Sequence, residues 1–282
     1  MPMTLAEKIL ARKSGRSAVA AGDLLTCRVD KVLATDITAP LSIAVFRRMG
    51  AERVFDPKAC ILINDHFVPA KDIRSAQFSR TMRLFAEEQG IEAYFEVGRA
   101  GICHTLVAEK GLVAPGELYI GADSHTCTAG ALGAFATGVG STDLAAVWAL
   151  GEIWLRVPES IKVILKGRFN PWVTSKDVIM KLIGNLGVDG GRYKALEFCG
   201  PLLETLPMHQ RLTLCNMTVE AGAKAGMIPA DHVTREFYGN LGLDGFEIPA
   251  PDEGARYCRT VTVDAGELEP LVAEPFAPDR IK

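Results

Sequence analysis

The chain has 282 residues, of which 48% are hydrophobic and 23% charged, a composition typical of a globular protein with one or two domains. Its formal net charge of −3, without a block of like charge, argues against nucleic acid as a main partner. The N-terminus lacks the apolar core of a signal peptide, and the uncharged stretch 126–142 is too rich in Gly and Thr for a membrane span. We therefore expect a cytoplasmic protein with no membrane partner.

Strand, loop and helix patterns alternate along the first half of the chain. Apolar runs predict strands over 24–33, 60–63, 93–97 and 118–120. Capping and periodicity signals predict helices from Thr4 to about Gly15, between Pro40 and Gly50, over 72–89 with Gly90 as the stop, and over 141–149. This spacing is typical of βα units, and it predicts a mainly parallel sheet with helices on both faces.

The second half repeats the pattern after a predicted boundary at Trp154–Pro158. Strands are expected over 161–165 and 193–198, and helices from Thr174 and over 221–225. The last run, from Glu274, is linker-like because it holds two prolines and no apolar periodicity. The sequence thus predicts an α/β protein with two domains, 1–157 and 158–282, each a mainly parallel sheet flanked by helices.

The segment from Tyr119 to Asp143 holds the most concentrated chemical signal. A short buried strand, 118–120, is followed at once by Asp123, Ser124 and His125, and then by a glycine-rich stretch. Open α/β sheets place their chemistry at the carboxyl ends of strands, where glycines let a ligand approach the backbone. We therefore expect the active site at this strand end.

Three of the five histidines, His66, His104 and His125, lie at predicted strand or loop ends. Each has a candidate acid to orient it: Asp65 precedes His66, Asp123 is two residues from His125, and Glu220 is the best candidate for His104. An imidazole held by a carboxylate suits general acid–base catalysis near neutral pH. The histidines are expected to converge on one cleft, whereas His209 and His232 are expected at the surface.

Other interpretations stay open at this level. A single histidine at a strand end is often structural, and three of them could bind zinc in a metal-dependent hydrolase, although H-E-x-x-H spacing is absent. Ser124 lies outside any G-x-S-x-G motif, and the glycines of 130–140 fail the G-x-G-x-x-G pattern. The seven cysteines include no C-x-x-C pair, which favours buried reduced thiols over a disulfide framework or a local metal site.

An ordered set of motifs over nearly the whole chain resembles the aconitase superfamily. Its closest resemblance is to the branch of 3-isopropylmalate dehydratase, homoaconitase and 2,3-dimethylmalate dehydratase large subunits. The motifs are Asn64-Asp-His-Phe-Val-Pro69, Gly101-Ile-Cys-His104, Gly121-Ala-Asp-Ser-His-Thr126, Gly133-Ala-Phe-Ala-Thr-Gly-Val-Gly-Ser-Thr-Asp143 and Cys215-Asn-Met-Thr-Val-Glu-Ala-Gly-Ala-Lys224.

The resemblance implies two aconitase-like domains and a hydro-lyase that removes and re-adds water on a hydroxy-di- or tricarboxylate. A 4Fe–4S cluster acts as Lewis acid in that family. By motif, Asp65 with His66 resembles the pair that protonates the departing hydroxyl. The pairs His104–Glu220 and Asp123–His125 resemble those that orient substrate and water. Two further positions match substrate-binding residues, Ser124 and Asn216.

One departure concerns the cluster. The family's cysteine ligands lie in a Gly-Ser-Cys-Thr-Asn motif and a later C-x-x-C, and this sequence contains neither. The chain is therefore expected to hold only the N-terminal two domains, with no metal ligands, and to be inactive alone. It would require the cluster-binding domain and a separate small subunit. The most favoured activity is 3-isopropylmalate dehydration in leucine biosynthesis. The alternatives are homoaconitate or 2,3-dimethylmalate as substrate, and a cluster-less binding or assembly module with a vestigial site.

Overall fold

The computed structural model describes all residues, 1–282, and contains eight α-helices and eleven strands. The helices are α1 Leu5–Lys13, α2 Ala39–Arg48, α3 Ile73–Gln89, α4 Cys103–Glu109, α5 Ser141–Leu150, α6 Ser175–Leu186, α7 Met208–Asn216 and α8 His232–Asn240. The strands are β1 Leu24–Arg28, β2 Lys31–Thr35, β3 Cys60–Ile63, β4 Ala93–Phe95, β5 Leu118–Gly121, β6 Phe135–Gly138, β7 Glu152–Arg156, β8 Ser160–Lys166, β9 Ala195–Cys199, β10 Ala225–Met227 and β11 Arg259–Asp264. None of the helices combines the length and apolarity that crossing a bilayer would require.

Two parallel sheets form the framework, as the alternating pattern predicts. The first has five strands in the order β4-β3-β2-β5-β6, and the second has four in the order β10-β9-β8-β11. The predicted α/β class with parallel sheets flanked by helices is therefore confirmed. The sheets fall on either side of residue 157, but one apolar core contains buried residues from both, such as Leu33 and Ile161. The division into two domains at that residue stays a prediction.

Helix boundaries follow the capping signals closely. Thr4 and Glu7 form the capping box of α1, and Thr174 and Asp177 form that of α6. These reciprocal bonds satisfy amides that have no partner within the helix. α3 begins after Asp72 and ends at Gly90, whose φ of 69° lies in the left-handed region that glycine tolerates.

Four stretches differ from the sequence predictions. Residues 24–33 form two strands in different sheets, because the chain leaves β1, which pairs antiparallel with β7, and enters the first parallel sheet as β2. The expected boundary Trp154–Pro158 therefore begins inside a strand. The helix expected over 221–225 is absent: a 3₁₀ helix, Met217–Ala221, ends at Gly222 with φ of 77°, and β10 begins at Ala225. Strand β11 was not predicted, although Val261 and Val263 alternate with polar residues as in a strand with one buried face.

A buried carboxylate of the second sheet holds the N-terminal helix. Glu197 on β9 accepts hydrogen bonds from the amides of Leu5 (3.2 Å) and Ala6 (3.0 Å) at the start of α1, and from the Ser160 hydroxyl (2.9 Å). Burial raises the pKa of Glu197, although these hydrogen bonds act in the opposite direction. The first element of the chain is thus attached to the sheet formed by its second half.

The 3₁₀ helix Ser124–Leu132, which follows β5, lies in tight contact with the second sheet. Ile228 donates a backbone hydrogen bond to the Gly130 carbonyl at 3.0 Å. A Cβ atom placed on Gly130 would lie 1.7 Å from the carbonyl oxygen of Gly226. Only glycine allows the two backbones to approach this closely.

Substitution of Gly130 by alanine should lower the free energy of unfolding by about 1–3 kcal/mol, because backbone atoms on both sides must move apart. Urea unfolding of the variant measures this loss. Gly239→Ala is the matched control: it lies in α8 with no atom within 4 Å of the added Cβ. That control should be neutral or stabilising by up to about 1 kcal/mol. Equal stabilities for the two variants would contradict the packing argument.

Candidate active site

The carboxyl ends of adjacent parallel strands bring the polar residues of the site together. Asp36 follows β2, Asp65 and His66 lie just beyond β3, and Asp123 follows β5. Because these strands run in the same direction, their ends lie at one edge of the sheet. His104 reaches this edge from the first turn of α4.

Asp123 is the centre of the cluster. Its Oδ1 atom lies 2.8 Å from Nε2 of His104, and its Oδ2 atom lies 3.3 Å from Nε2 of His66. Oδ1 also accepts the backbone N–H of His125 at 2.8 Å, which caps the following 3₁₀ helix. One carboxylate with a 13% exposed side chain therefore joins all three predicted histidines.

The ring of His125 has a different acidic partner. Its Nε2 atom lies 3.4 Å from Oε1 of Glu220, and its Nδ1 atom lies 3.1 Å from the hydroxyl of Ser124. The rings of His104 and His125 have centroids 6.5 Å apart. Glu220 lies in the 3₁₀ helix between α7 and β10, so both halves of the chain contribute to the site.

The three histidines converge as the sequence analysis predicts, but two of the predicted pairings, Asp65–His66 and His104–Glu220, are wrong, and Asp123 binds His125 through the backbone N–H rather than the ring. Asp123 contacts the rings of His104 and His66, whereas Nδ1 of His125 is 4.0 Å from it. The expected pair His104–Glu220 is replaced by His125–Glu220. Asp65 does not bind its neighbour: its Oδ2 atom accepts the backbone N–H of Cys103 at 2.8 Å, at the start of α4. His66 lies in the turn that follows β3, while the Asp65 carboxylate is held at the start of α4.

The sequence analysis missed Asp36 as a site residue. Its carboxylate is fully buried and accepts backbone N–H groups from three successive residues, Asp65, His66 and Phe67. The sequence does hold a signal for Asp36, because it is a polar residue directly after the apolar run of β2, just as Asn64 is directly after that of β3.

The electrostatics of the cluster favour a protonated His66. Burial alone would raise the pKa of Asp123, but hydrogen bonds from His104 and His66 outweigh it and bring that pKa well below its ordinary range. The hydrogen bond to Asp123 raises the pKa of His66 above 6.5; burial opposes this, and the charge of Asp65 adds to it. The contact with Asp123 thus favours the imidazolium form of His66.

The two predicted substrate-binding residues lie at the rim. Ser124 is exposed and bonded to the ring of His125. The amide of Asn216 donates to the Thr128 hydroxyl at 2.8 Å, and this hydroxyl donates to the carbonyl of His125 at 2.6 Å. Asn216 therefore supports the backbone that carries His125. Contact of either residue with substrate stays a prediction.

The cysteines of the chain do not fit the role of cluster ligands. All seven are free thiols and five are buried. Burial raises the pKa of Cys127 to about 11 and those of Cys103 and Cys215 further, so these thiols are protonated in the metal-free chain. The structure also contains no group of three or more His, Cys, Asp or Glu side chains arranged to hold a metal ion.

Comparison with known proteins agrees with this architecture. Residues 7–281 match the model of the aconitase family (aconitate hydratase). The chain belongs to the aconitase family. The family assignment made from the ordered motifs is therefore confirmed, and it covers almost all of the chain.

Relatives from several organisms carry one name. The chain is 52% identical to the 3-isopropylmalate dehydratase large subunit of Moorella thermoacetica, over 100% of the chain and 67% of that protein. It is 50% identical to large subunit 1 of the same enzyme from Pyrococcus furiosus, over 98% of the chain and 65% of that protein. The large subunit from Aquifex aeolicus is 48% identical, over 100% and 65%. The chain thus spans about two thirds of the length of these aconitase-family relatives.

Proposed function

We propose that this chain is part of a hydro-lyase that removes and re-adds water on a hydroxy-dicarboxylate, with 3-isopropylmalate as the substrate. The observation that carries the proposal is the set of three imidazoles linked to Asp123 and Glu220 at one strand edge. Membership of the aconitase family supports the reaction type, and relatives named 3-isopropylmalate dehydratase large subunit support the substrate.

In this proposal His66 is the general acid. Hydroxide is a poor leaving group at neutral pH, so dehydration requires a proton at the departing oxygen. The hydrogen bond to Asp123 raises the pKa of His66 and so favours its protonated form, and its partly exposed side chain, 35% accessible, can reach a ligand. Asp123 orients the ring and stabilises the imidazolium through the contact at Nε2, while Nδ1 faces away from that carboxylate.

The remaining residues are assigned to orientation of the reactants. His104 shares Asp123 with His66 and is largely buried, at 10% exposure, so it holds that carboxylate in place. The half-exposed pair His125–Glu220 faces solvent at the other side of the cluster, where it can bind substrate or water. Ser124 and Asn216 are proposed to complete the substrate contacts. Asp65 fixes the start of α4 and therefore the position of His104.

The family implies a 4Fe–4S cluster in the complete enzyme, where it would supply a Lewis acid for the substrate oxygens. Since the thiols of this chain do not fit as its ligands, we propose that the ligands lie outside these residues. A separate small subunit is likewise proposed as a partner, because the relatives are named large subunits.

The test is reconstitution of the full-length gene product with its small subunit, followed by assay of dehydration. We expect dehydration of 3-isopropylmalate to be at least about tenfold faster than dehydration of 2,3-dimethylmalate, the discrimination that one or two apolar groups provide. Homoaconitate, which already holds the double bond, is assayed by its hydration, and this should be slower still. Preference for another of these acids would make that acid the proposed substrate. Absence of turnover on all three would contradict the hydro-lyase proposal.

The chain of 282 residues alone should bind no cluster and show no dehydratase activity. Anaerobic reconstitution with iron and sulfide, followed by iron analysis and visible spectroscopy, measures the first expectation. Recovery of about four irons per chain with cluster absorption would contradict it, since the cluster needs accessible thiolates. The full-length gene product treated in the same way is the positive control.

A further inference from the structure

One buried carboxylate holds the loop that carries His66. Asp36 has no exposed side-chain surface, and it accepts three consecutive backbone N–H groups. Its Oδ1 atom is 3.3 Å from the nitrogen of Asp65 and 3.0 Å from that of His66, and its Oδ2 atom is 2.7 Å from that of Phe67. Hydrogen bonds to a charged acceptor are about twice as strong as neutral ones, so they define the path of this loop closely.

The same carboxylate lies close to the imidazole without bonding to it. Oδ1 of Asp36 is 3.8 Å from Nδ1 of His66, while Nε2 of that ring is 3.3 Å from Asp123. The first distance is too long for a hydrogen bond. Asp36 therefore acts on the ring through the backbone and through its charge. Asp65, the adjacent acid, is engaged at α4 instead.

We propose that Asp36 is the positioning residue of His66: by binding the amides of residues 65–67 it places the imidazole within reach of Asp123. The importance of Asp36 for catalysis rests on the proposed dehydratase function, whereas its effect on the position of the His66 ring is independent of that function. The charged groups that face His66 are three carboxylates from three loops, Asp36, Asp65 and Asp123. Only Asp36 among them contacts the backbone of His66.

The test compares Asp36→Asn with Asp30→Asn in the ¹⁵N-labelled 282-residue chain. Asp30 is the matched control: its side chain is 18% exposed, it accepts the N–H of Leu118 at 2.7 Å and pairs with Lys13, at the opposite edge of the same sheet. In Asp36→Asn we expect amide exchange at residues 65–67 to be about 10- to 100-fold faster, as three charge-assisted bonds weaken. The titration of the His66 ring should also shift to lower pH. Asp30→Asn should change neither.

Exchange and titration identical to the unmodified chain in Asp36→Asn would overturn the proposal. If that variant fails to fold, amide exchange in the unmodified chain tests the proposal. There the amides of residues 65–67 must exchange more slowly than those of the exposed neighbours Ala70 and Lys71. Equal rates would overturn the proposal as well. Neither measurement uses substrate, so its outcome is independent of the turnover assays that test the dehydratase function.

Discussion

Replacement of His66 by alanine should slow dehydration by the complete enzyme about 10²- to 10⁴-fold, the usual contribution of a general acid. The ring that holds the proton beside Asp123 is removed, while no buried apolar side chain is lost. Substrate affinity should change less than turnover, because the proton is needed mainly in the transition state. Steady-state kinetics on 3-isopropylmalate, with cluster content measured in parallel, test this expectation.

His209→Ala is the control for this variant. His209 is exposed in the first turn of α7, away from the Asp123 cluster, and its loss should leave turnover unchanged. Near-normal turnover in His66→Ala with a full cluster would remove the general-acid role. A vestigial site in a binding or assembly module would instead give no turnover even with His66 in place.

Asp123→Asn should lower the free energy of unfolding of the 282-residue chain by about 3 kcal/mol at pH 6. This is the low end of the range for breaking a buried charge pair, because His66 is partly exposed. The variant replaces the anion that contacts both His66 and His104 with a neutral amide. Urea unfolding measures the difference, and the exposed Asp189→Asn, with an expected change within about 0.5 kcal/mol, is the control.

The same variant should flatten the dependence of stability on pH. The folded-state pKa of Asp123 is lowered, so its contribution is present above its ordinary pKa of 3.8 and is lost as the pH falls below that value. The folded-state pKa of His66 is raised, so its contribution is present below 6.5 and is lost as the pH rises through the folded pKa. The cluster should therefore stabilise the chain most between about pH 4 and 6.5. If stability depended on pH in Asp123→Asn as it does in the unmodified chain, the His66 contribution would not depend on the Asp123 carboxylate.

Much of the framework could be predicted from local patterns. The capping boxes at Thr4 and Thr174 and the left-handed Gly90 fix helix ends through contacts within a few residues. The convergence of the histidines also followed, because parallel strands place their carboxyl ends together. These predictions depend on short-range chemistry or on a general rule of sheet architecture.

The pairings could not be predicted in the same way. Which acid contacts which imidazole depends on the exact course of the loops, to within a few ångströms. Asp65 binds the N-terminus of α4, and Asp123 contacts the rings of His66 and His104 rather than that of His125. Asp36 makes its contacts with residues about 30 positions later, so no local pattern reveals them. Residues 221–225 have the small side chains of a tightly packed helix, but the chain turns at Gly222, whose φ is 77°, and enters β10 at Ala225.

Glu220 joins the cluster from the later part of the chain, and this gives the site an order of assembly. A ribosome releases residues 36–125 well before residue 220, so the nascent first sheet can already pair His66 and His104 with Asp123. The ring of His125 can contact Glu220 only after the second sheet has packed against the first. The contact between these two side chains therefore reports completed folding, as the last of the three imidazole–carboxylate contacts to form.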